Sequence, residues 1–349
     1  MPHPDTLAYL FDHIPYNALD NLRHEMINQL LRKKALAKWR LLNQFYLISV
    51  DGTGYLDFRY KHCDGCLTRK LNDDSIYYHH PVLDAKLVTG NGLSLSIGTE
   101  FMQNIPGRDK QDCELLAFYR WAKKFKKMYA QLKICLLLDG LYARRPVFWL
   151  CKKYGWKYII VLKEGAQKDL YNWYETIRDK GEEKNHKEII FKDMTQHYCW
   201  ISPFEHFTGE TFHIFECLEQ YINKDPDKKW VWITNIEVTE ENVDKLGNGG
   251  GRLRWKTENE GFNSQKNGGY EMEHAYSHHP NGMKCFYLLL QIAHIIAQLV
   301  EKGSLLVKYG IDKIGSIRNI AFFLLESLRT SLIDTTSLDQ RIQIRLNSG

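Results

Sequence analysis

A chain of 349 residues with 44% hydrophobic, 26% charged and 13% aromatic residues has ordinary globular composition. That excludes disorder, collagen or coiled coil as the main state and leaves room for one large domain or two ordinary ones. The net charge of +5 is unevenly spread: residues 166–250 hold ten basic and seventeen acidic residues, a balance of −7 that leaves +12 for the remainder, and a basic body with an acidic insert suits a polyanionic partner.

The eight cysteines are dispersed, with only Cys63 and Cys66 close together. This argues against a secreted disulfide scaffold and for a reducing, cytoplasmic setting. The N-terminus lacks a basic stretch followed by an apolar core, so no secretory signal is visible.

Residues 1–44 are expected to form a helical N-terminal region. Leu7, Leu10, Phe11 and Ile14, then Leu22, Met26, Leu30 and Leu31, recur at helical spacing. Six basic residues and one acid between Arg23 and Arg40 fit a solvated face and a DNA contact equally well. The run Phe45–Asp51 predicts a buried strand closed by an Asp-Gly turn, with a weaker strand over 54–62 and a hairpin over 83–102 around Gly90-Asn91-Gly92.

Residues 111–130 switch to helical period: Leu115, Tyr119, Ala122, Phe125 and Tyr129 share a face, and the lysines at 123, 124, 126 and 127 lie elsewhere. A second apolar strand, 132–139, again closes in Asp-Gly. A helix over 146–154 and a strand over 158–162 follow. Residues 45–165 therefore read as an α/β layer.

Residues 166–246 form an acidic, β-rich insert with strands over 191–201, 212–217 and 230–236. Gly247–Gly251 reads as a flexible link; no Gly-Lys-Ser/Thr follows, so it is not a phosphate loop. A helix over 252–266 ends at Asn267-Gly268-Gly269, and helices are expected over 283–302 and 313–333. The most apolar stretch, Cys285–Val300, is interrupted by Gln291, His294 and Gln298 and reads as a buried helix, so no membrane is expected as a partner.

Two apolar strands that each end in Asp-Gly carry the chemistry. Either aspartate alone is an ordinary turn opener. Two carboxylates at the ends of neighbouring strands repel, which favours a hard divalent cation between them. Glu258 is the third acid, four residues after Arg254 and so about 40° from it around an α-helix. Trp255 and Phe262 give that helix an apolar face; Glu260 is the competing acid.

The order of strand-Asp51-Gly-Thr, strand-Asp139-Gly-Leu-Tyr-Ala, β-rich insert and Arg254-Trp255-x-x-Glu258 resembles the DDE transposases of bacterial insertion sequences, in the branch whose β insert separates the second Asp from the Glu. The resemblance covers roughly residues 45–300, with Asp139 lying 88 residues beyond Asp51 and Glu258 119 beyond Asp139. It implies a ribonuclease H-like core, a mixed sheet flanked by helices, over 45–165 and 247–305, with the insert at 166–246 and a helical C-terminal region at 306–349. Asp51, Asp139 and Glu258 match the metal-binding and catalytic triad for Mg²⁺, with Mn²⁺ as a substitute; Arg254 and Trp255 match DNA contacts beside the cut. The family places Tyr where Gly251 stands and Lys where Gln265 stands, with Lys266 next to it.

The implied activity is metal-dependent strand cleavage at element ends followed by 3′-OH transfer into target DNA. The partners are double-stranded DNA and a second copy of the chain, at the bacterial nucleoid. The alternatives are an inactive DNA-binding remnant, suggested by the 50 residues before Asp51, and a metal-dependent nuclease that cuts without joining.

Other signals are read blandly. His62-Cys63-Asp-Gly-Cys66, with His79 and His80 beyond, begins a zinc spacing but has no second Cys-x-x-Cys. Reduced cysteines near a strand end are the favoured reading and zinc at Cys63 and Cys66 the lesser one. His274, His278 and His279 read as exposed or capping histidines.

Overall fold

The apolar residues from Tyr46 to Val50 open a strand that does not stop at Asp51. Strand β1 runs from Tyr46 to Phe58, so the expected Asp51-Gly52 turn is extended backbone. Asp-Gly is a turn pair by local preference, but β1 has a hydrogen-bonded strand on each side, and the ladders override that preference.

The computed structural model describes residues 3–104, 107–165, 168–180, 185–205, 211–222, 226–303, 317–332 and 345–346. Most of the expected C-terminal region, 306–349, lies outside the described residues. The chain is mixed α/β with parallel and antiparallel strands and divides into two compact units: residues 1–36, 52–122 and 256–349 form one, residues 37–51 and 123–255 the other.

In the first unit, helices α1 (Pro4–His13) and α2 (Tyr16–Arg32) are separated at Pro15, which caps α2. Both pack on α8 (Pro280–Glu301). Strands β2 (Leu67–Lys70), β3 (Ile76–Val88) and β4 (Ser94–Phe101) form an antiparallel ladder, with the expected hairpin between the last two. Tyr55, Leu56, Val82, Phe262, Met283 and Tyr287 share one buried cluster of this unit.

Among the described residues, α8 is the helix long and apolar enough to cross a membrane, yet 56% of its apolar window is buried. Its polar residues lie inside the unit and are bonded there. Gln298 exchanges hydrogen bonds with the backbone of Ser94 at 2.6 and 3.1 Å, and Gln291 accepts from Lys86 at 3.1 Å. These bonds are why a helix can bury amides at the cost of apolar packing.

Arg23 corrects the reading of the basic N-terminal helix. It is fully buried and belongs to neither a solvated face nor a DNA-binding one. Its guanidinium pairs with Asp20 and lies 3.7 Å from the buried Asp84, which Lys86 meets at 2.7 Å. Ser96 and Thr99 donate to the same Asp84 oxygen at 2.8 and 2.7 Å. The charges are thus compensated by partners from β3, β4 and α2.

In the second unit, β1, β5 (Ile134–Leu138) and β6 (Lys157–Val161) are parallel. The ladder continues antiparallel through β10 (Lys228–Thr234), β9 (Thr211–Tyr221), β8 (Met194–Glu205) and β7 (Asn185–Ile190). The acidic insert therefore extends the ladder from β6. It also contains a helix, α5 (Lys168–Lys180), where only strands were expected. Leu170 and Tyr174, one turn apart and buried, hold α5 in place. Helix α3 (Glu114–Met128) precedes β5, and α4 (Arg145–Tyr154), with Pro146 in its first turn and Gly155 closing it in the left-handed region, joins β5 to β6.

Candidate active site

The site begins with strand register. Ser49 of β1 pairs with Leu137 of the parallel β5. The ladder ends at that pair; Asp51 and Asp139 each follow it by two residues, and Asp139 is still extended. Alternation along each strand puts both side chains on the Ser49 face. Each apolar strand thus delivers one carboxylate to a common edge, both partly exposed.

Asp139 also has a local role. Its Oδ1 accepts from the Leu141 amide at 2.9 Å and caps the 3₁₀ turn Gly140–Tyr142. The turn-opening and ligand readings of Asp139 are compatible, because a carboxylate has lone pairs to spare.

Arg254 supplies the positive charge. It closes the 3₁₀ turn Gly251–Arg254, which packs on β5 and β6. Its carbonyl accepts from the buried Ser49 hydroxyl at 3.5 Å, and its Nη1 lies 3.4 Å from Asp51 Oδ2. Arg254 is 7% exposed, and its guanidinium sits 5.1 Å over the ring of the half-exposed Trp255.

The glycines before Arg254 are packed, which corrects the reading of a flexible link. Helix α6 (Val243–Asn248) runs through Gly247. A Cβ on Gly247 would meet the Tyr198 ring at 2.8 Å, and one on Gly250 would meet the Leu246 carbonyl at 2.5 Å. At Gly251, Trp232 Nε1 lies 2.5 Å from where a Cβ would be. The indole leaves no room at 251 for the tyrosine that the resemblance expected.

The segment after Trp255 is also not the regular helix that was expected. Residues Thr257–Asn263 form a π-helix, followed by α7 (Ser264–Asn267). The 40° separation of Arg254 and Glu258, an α-helical figure, does not carry over. Within the first unit, Glu258 is exposed and has no ion pair or hydrogen bond among the described residues. Glu260 is engaged by Lys256 at 2.7 Å, which leaves Glu258 the more available acid.

Gln265 is fully buried, donating to Gln291 at 2.8 Å and lying 2.9 Å from His294 Nδ1. Lys266 is partly exposed and pairs with Glu273 at 2.8 Å. Lys266, not position 265, therefore offers a cation at the surface.

Sequence reasoning missed Glu114. Its carboxylate fills the space beside Gly52, the residue after Asp51; a Cβ there would lie 2.5 Å from Glu114 Oε2. Gly52, Asp57, Glu114 and Lys266 line an open cleft of about 510 Å³ in the first unit. Nothing local in the sequence signals this, because the docking of α3 brings Glu114 there.

Of the three later histidines, all exposed, His274 stacks edge-on against Tyr276, His278 lies against the Phe58 and His62 rings, and His279 caps α8 with Asp12 3.8 Å away. No protein-family model matches the chain, and no curated protein matches it. Among solved structures it is similar to the piggyBac transposase synaptic complex with hairpin DNA, at 12% identity and a TM-score of 0.32, over 78% of this chain and 57% of that one. The match thus spans little more than half the length of that transposase chain.

Proposed function

We propose that the chain is a DDE-type DNA transposase of a bacterial insertion sequence, cutting DNA at element ends and joining the freed 3′-OH to target DNA. The observation that supports this most is the parallel pairing of β1 with β5, which carries Asp51 and Asp139 two residues beyond the paired Ser49 and Leu137, with Arg254 against Asp51. The parallel β1, β5 and β6 with flanking α3 and α4 support a ribonuclease H-like reading of the core.

The donor set fits divalent metal. Carboxylates brought close together favour a shared cation with oxygen ligands, and the Arg254 guanidinium lies against Asp51. Asp51 and Asp139, with Glu258 as the third acid implied by the resemblance, would hold Mg²⁺, which supplies Lewis-acid activation of water and charge stabilisation at the leaving 3′ oxygen. Arg254 holds a DNA phosphate beside the cut and Trp255 offers a stacking face for an adjacent base. Lys266 contributes to the phosphate track. No covalent protein–DNA intermediate is needed, and pairing of two ends calls for two copies of the chain on DNA.

The test uses the full chain with labelled duplexes carrying the terminal sequences that flank its gene, with Mg²⁺ or Mn²⁺. Joined products are the expected result. Cutting without joining would replace the proposal with a nuclease, and binding alone with an inactive remnant.

A further inference from the structure

We propose that His62, Cys63, Cys66 and His80 form a structural Zn²⁺ site. The four residues come from two places in the first unit: the 59–66 connection between β1 and β2, and β3. Their ligand atoms all lie within 4.8 Å of one another. The two sulfurs are 3.7 Å apart, each sulfur is 3.4 Å from His80 Nε2, and Cys66 Sγ is 3.7 Å from His62 Nδ1.

These separations are the edges of a metal tetrahedron. With Zn–S of about 2.3 Å and Zn–N of about 2.05 Å, tetrahedral angles give S···S near ~3.8 Å and S···N near ~3.6 Å. A disulfide would need the sulfurs at about 2.05 Å. A simple thiol–imidazole cluster fits poorly as well: His80 Nε2 has one in-plane position and faces both sulfurs equally. A central cation satisfies all four donors at once. Two thiolates with two imidazoles select zinc over harder cations. The nearby Asp64 is exposed and paired with Lys61 at 2.8 Å, so it is not a competing ligand.

The surroundings hold the ligands in place. The Cys66 amide donates to the Cys63 carbonyl at 3.3 Å, closing the turn between the two thiols. Asn104 donates to the Cys66 carbonyl at 2.6 Å. The His62 ring stacks on His80 and meets the edge of Phe58, with its Nε2 buried and unpartnered, so that Nδ1 is the atom presented. Binding releases one proton from each thiol and leaves a site of no net charge. Four protein ligands close the coordination sphere, so the ion fastens the 59–66 connection to β3 and has no open position for catalysis.

The full-length chain, expressed with zinc in the medium, is expected to retain about one zinc per chain through dialysis, and Co²⁺ exchanged into the site should show the visible bands of a tetrahedral S₂N₂ ligand set. Cys66→Ser should lose the metal and lower the Tm; His80→Cys, which keeps a four-ligand set, should keep it. Asp139→Asn should carry the same zinc as the parent, so the result is independent of the cleavage proposal. Thiols fully titratable in the folded chain with no zinc taken up on addition would overturn the site, as would iron found in its place. Both measurements use the parent protein and do not depend on any variant folding.

Discussion

Arg254 Nη1 and Asp51 Oδ2 lie 3.4 Å apart although 203 residues separate them in the chain. The guanidinium is the nearly buried member and the carboxylate the more open one, with side-chain exposures of 8% and 21%. A buried cation beside an acid is costly to desolvate, and under the proposed function this guanidinium also meets a DNA phosphate.

Arg254→Ala should therefore weaken binding to every duplex by a similar factor, with no change in sequence preference. Each lost phosphate contact lowers the slope of log K against log salt by about 0.9. Binding isotherms across a salt series check this; an unchanged slope would separate Arg254 from the DNA.

Asp51→Asn and Asp139→Asn should each abolish metal-dependent cleavage while leaving duplex affinity within a few fold. Gel-shift and nicking assays on one preparation read both. Cleavage at the parental rate by either variant removes that residue from the mechanism. Glu114→Gln is the informative companion: a fall in cleavage would bring into the chemistry a carboxylate that lies against Gly52.

Asp84 is the hub of a buried charge cluster with Lys86 and Arg23. Asp84→Ala would leave Lys86 without its carboxylate and Arg23 with Asp20 alone, and should cost about 3–5 kcal/mol, the usual result of removing one member of a buried pair. Urea unfolding should show a lower midpoint with an unchanged slope; a loss below about 1 kcal/mol would mean that water reaches the cluster.

His294 gives a pH signature. Burial, with help from Lys86, lowers it to about 3. The unfolded chain then binds the proton that the folded chain refuses between pH about 6.5 and 3. This contribution to stability is fully present above pH 6.5 and declines on acidification by up to ~1.4 kcal/mol per pH unit. His294→Gln should fall less steeply over that window in denaturant titrations. Parallel slopes would show that the imidazole is charged inside the fold.

Much of this architecture was legible in the sequence. The apolar runs of β5 and β6 and the helical periods of α3, α4 and α8 appear where local pattern put them, because each is buried on a simple, regular face. Three features were not. β1 continues through Asp51-Gly52 because neighbouring strands outvote the turn preference. Arg23 is inside because Asp84, 61 residues away, compensates it. Helix α5 left a trace in the spacing of Leu170 and Tyr174, obscured by the charged composition around them. In the candidate site, Asp139 was readable as a strand-end acid and Arg254 was pointed to by the resemblance, whereas Asp51 lies inside a strand that continues past it. Glu114 depends on long-range docking, which no local window records.

The π-helix at Thr257–Asn263 closes its hydrogen bonds over five residues where an α-helix closes them over four. Gly261 in its middle has no room for a side chain, since the Lys86 stem lies 2.8 Å from where a Cβ would stand. Deleting a single residue between Glu258 and Gly261 would tighten the coil and rotate everything downstream by about 100°. Gln265 would then swing away from Gln291 and His294 while Phe262 left its apolar seat. Alignments of this segment that assume uniform helical spacing will therefore slip by one position, and a shortened relative would need a rewired interior.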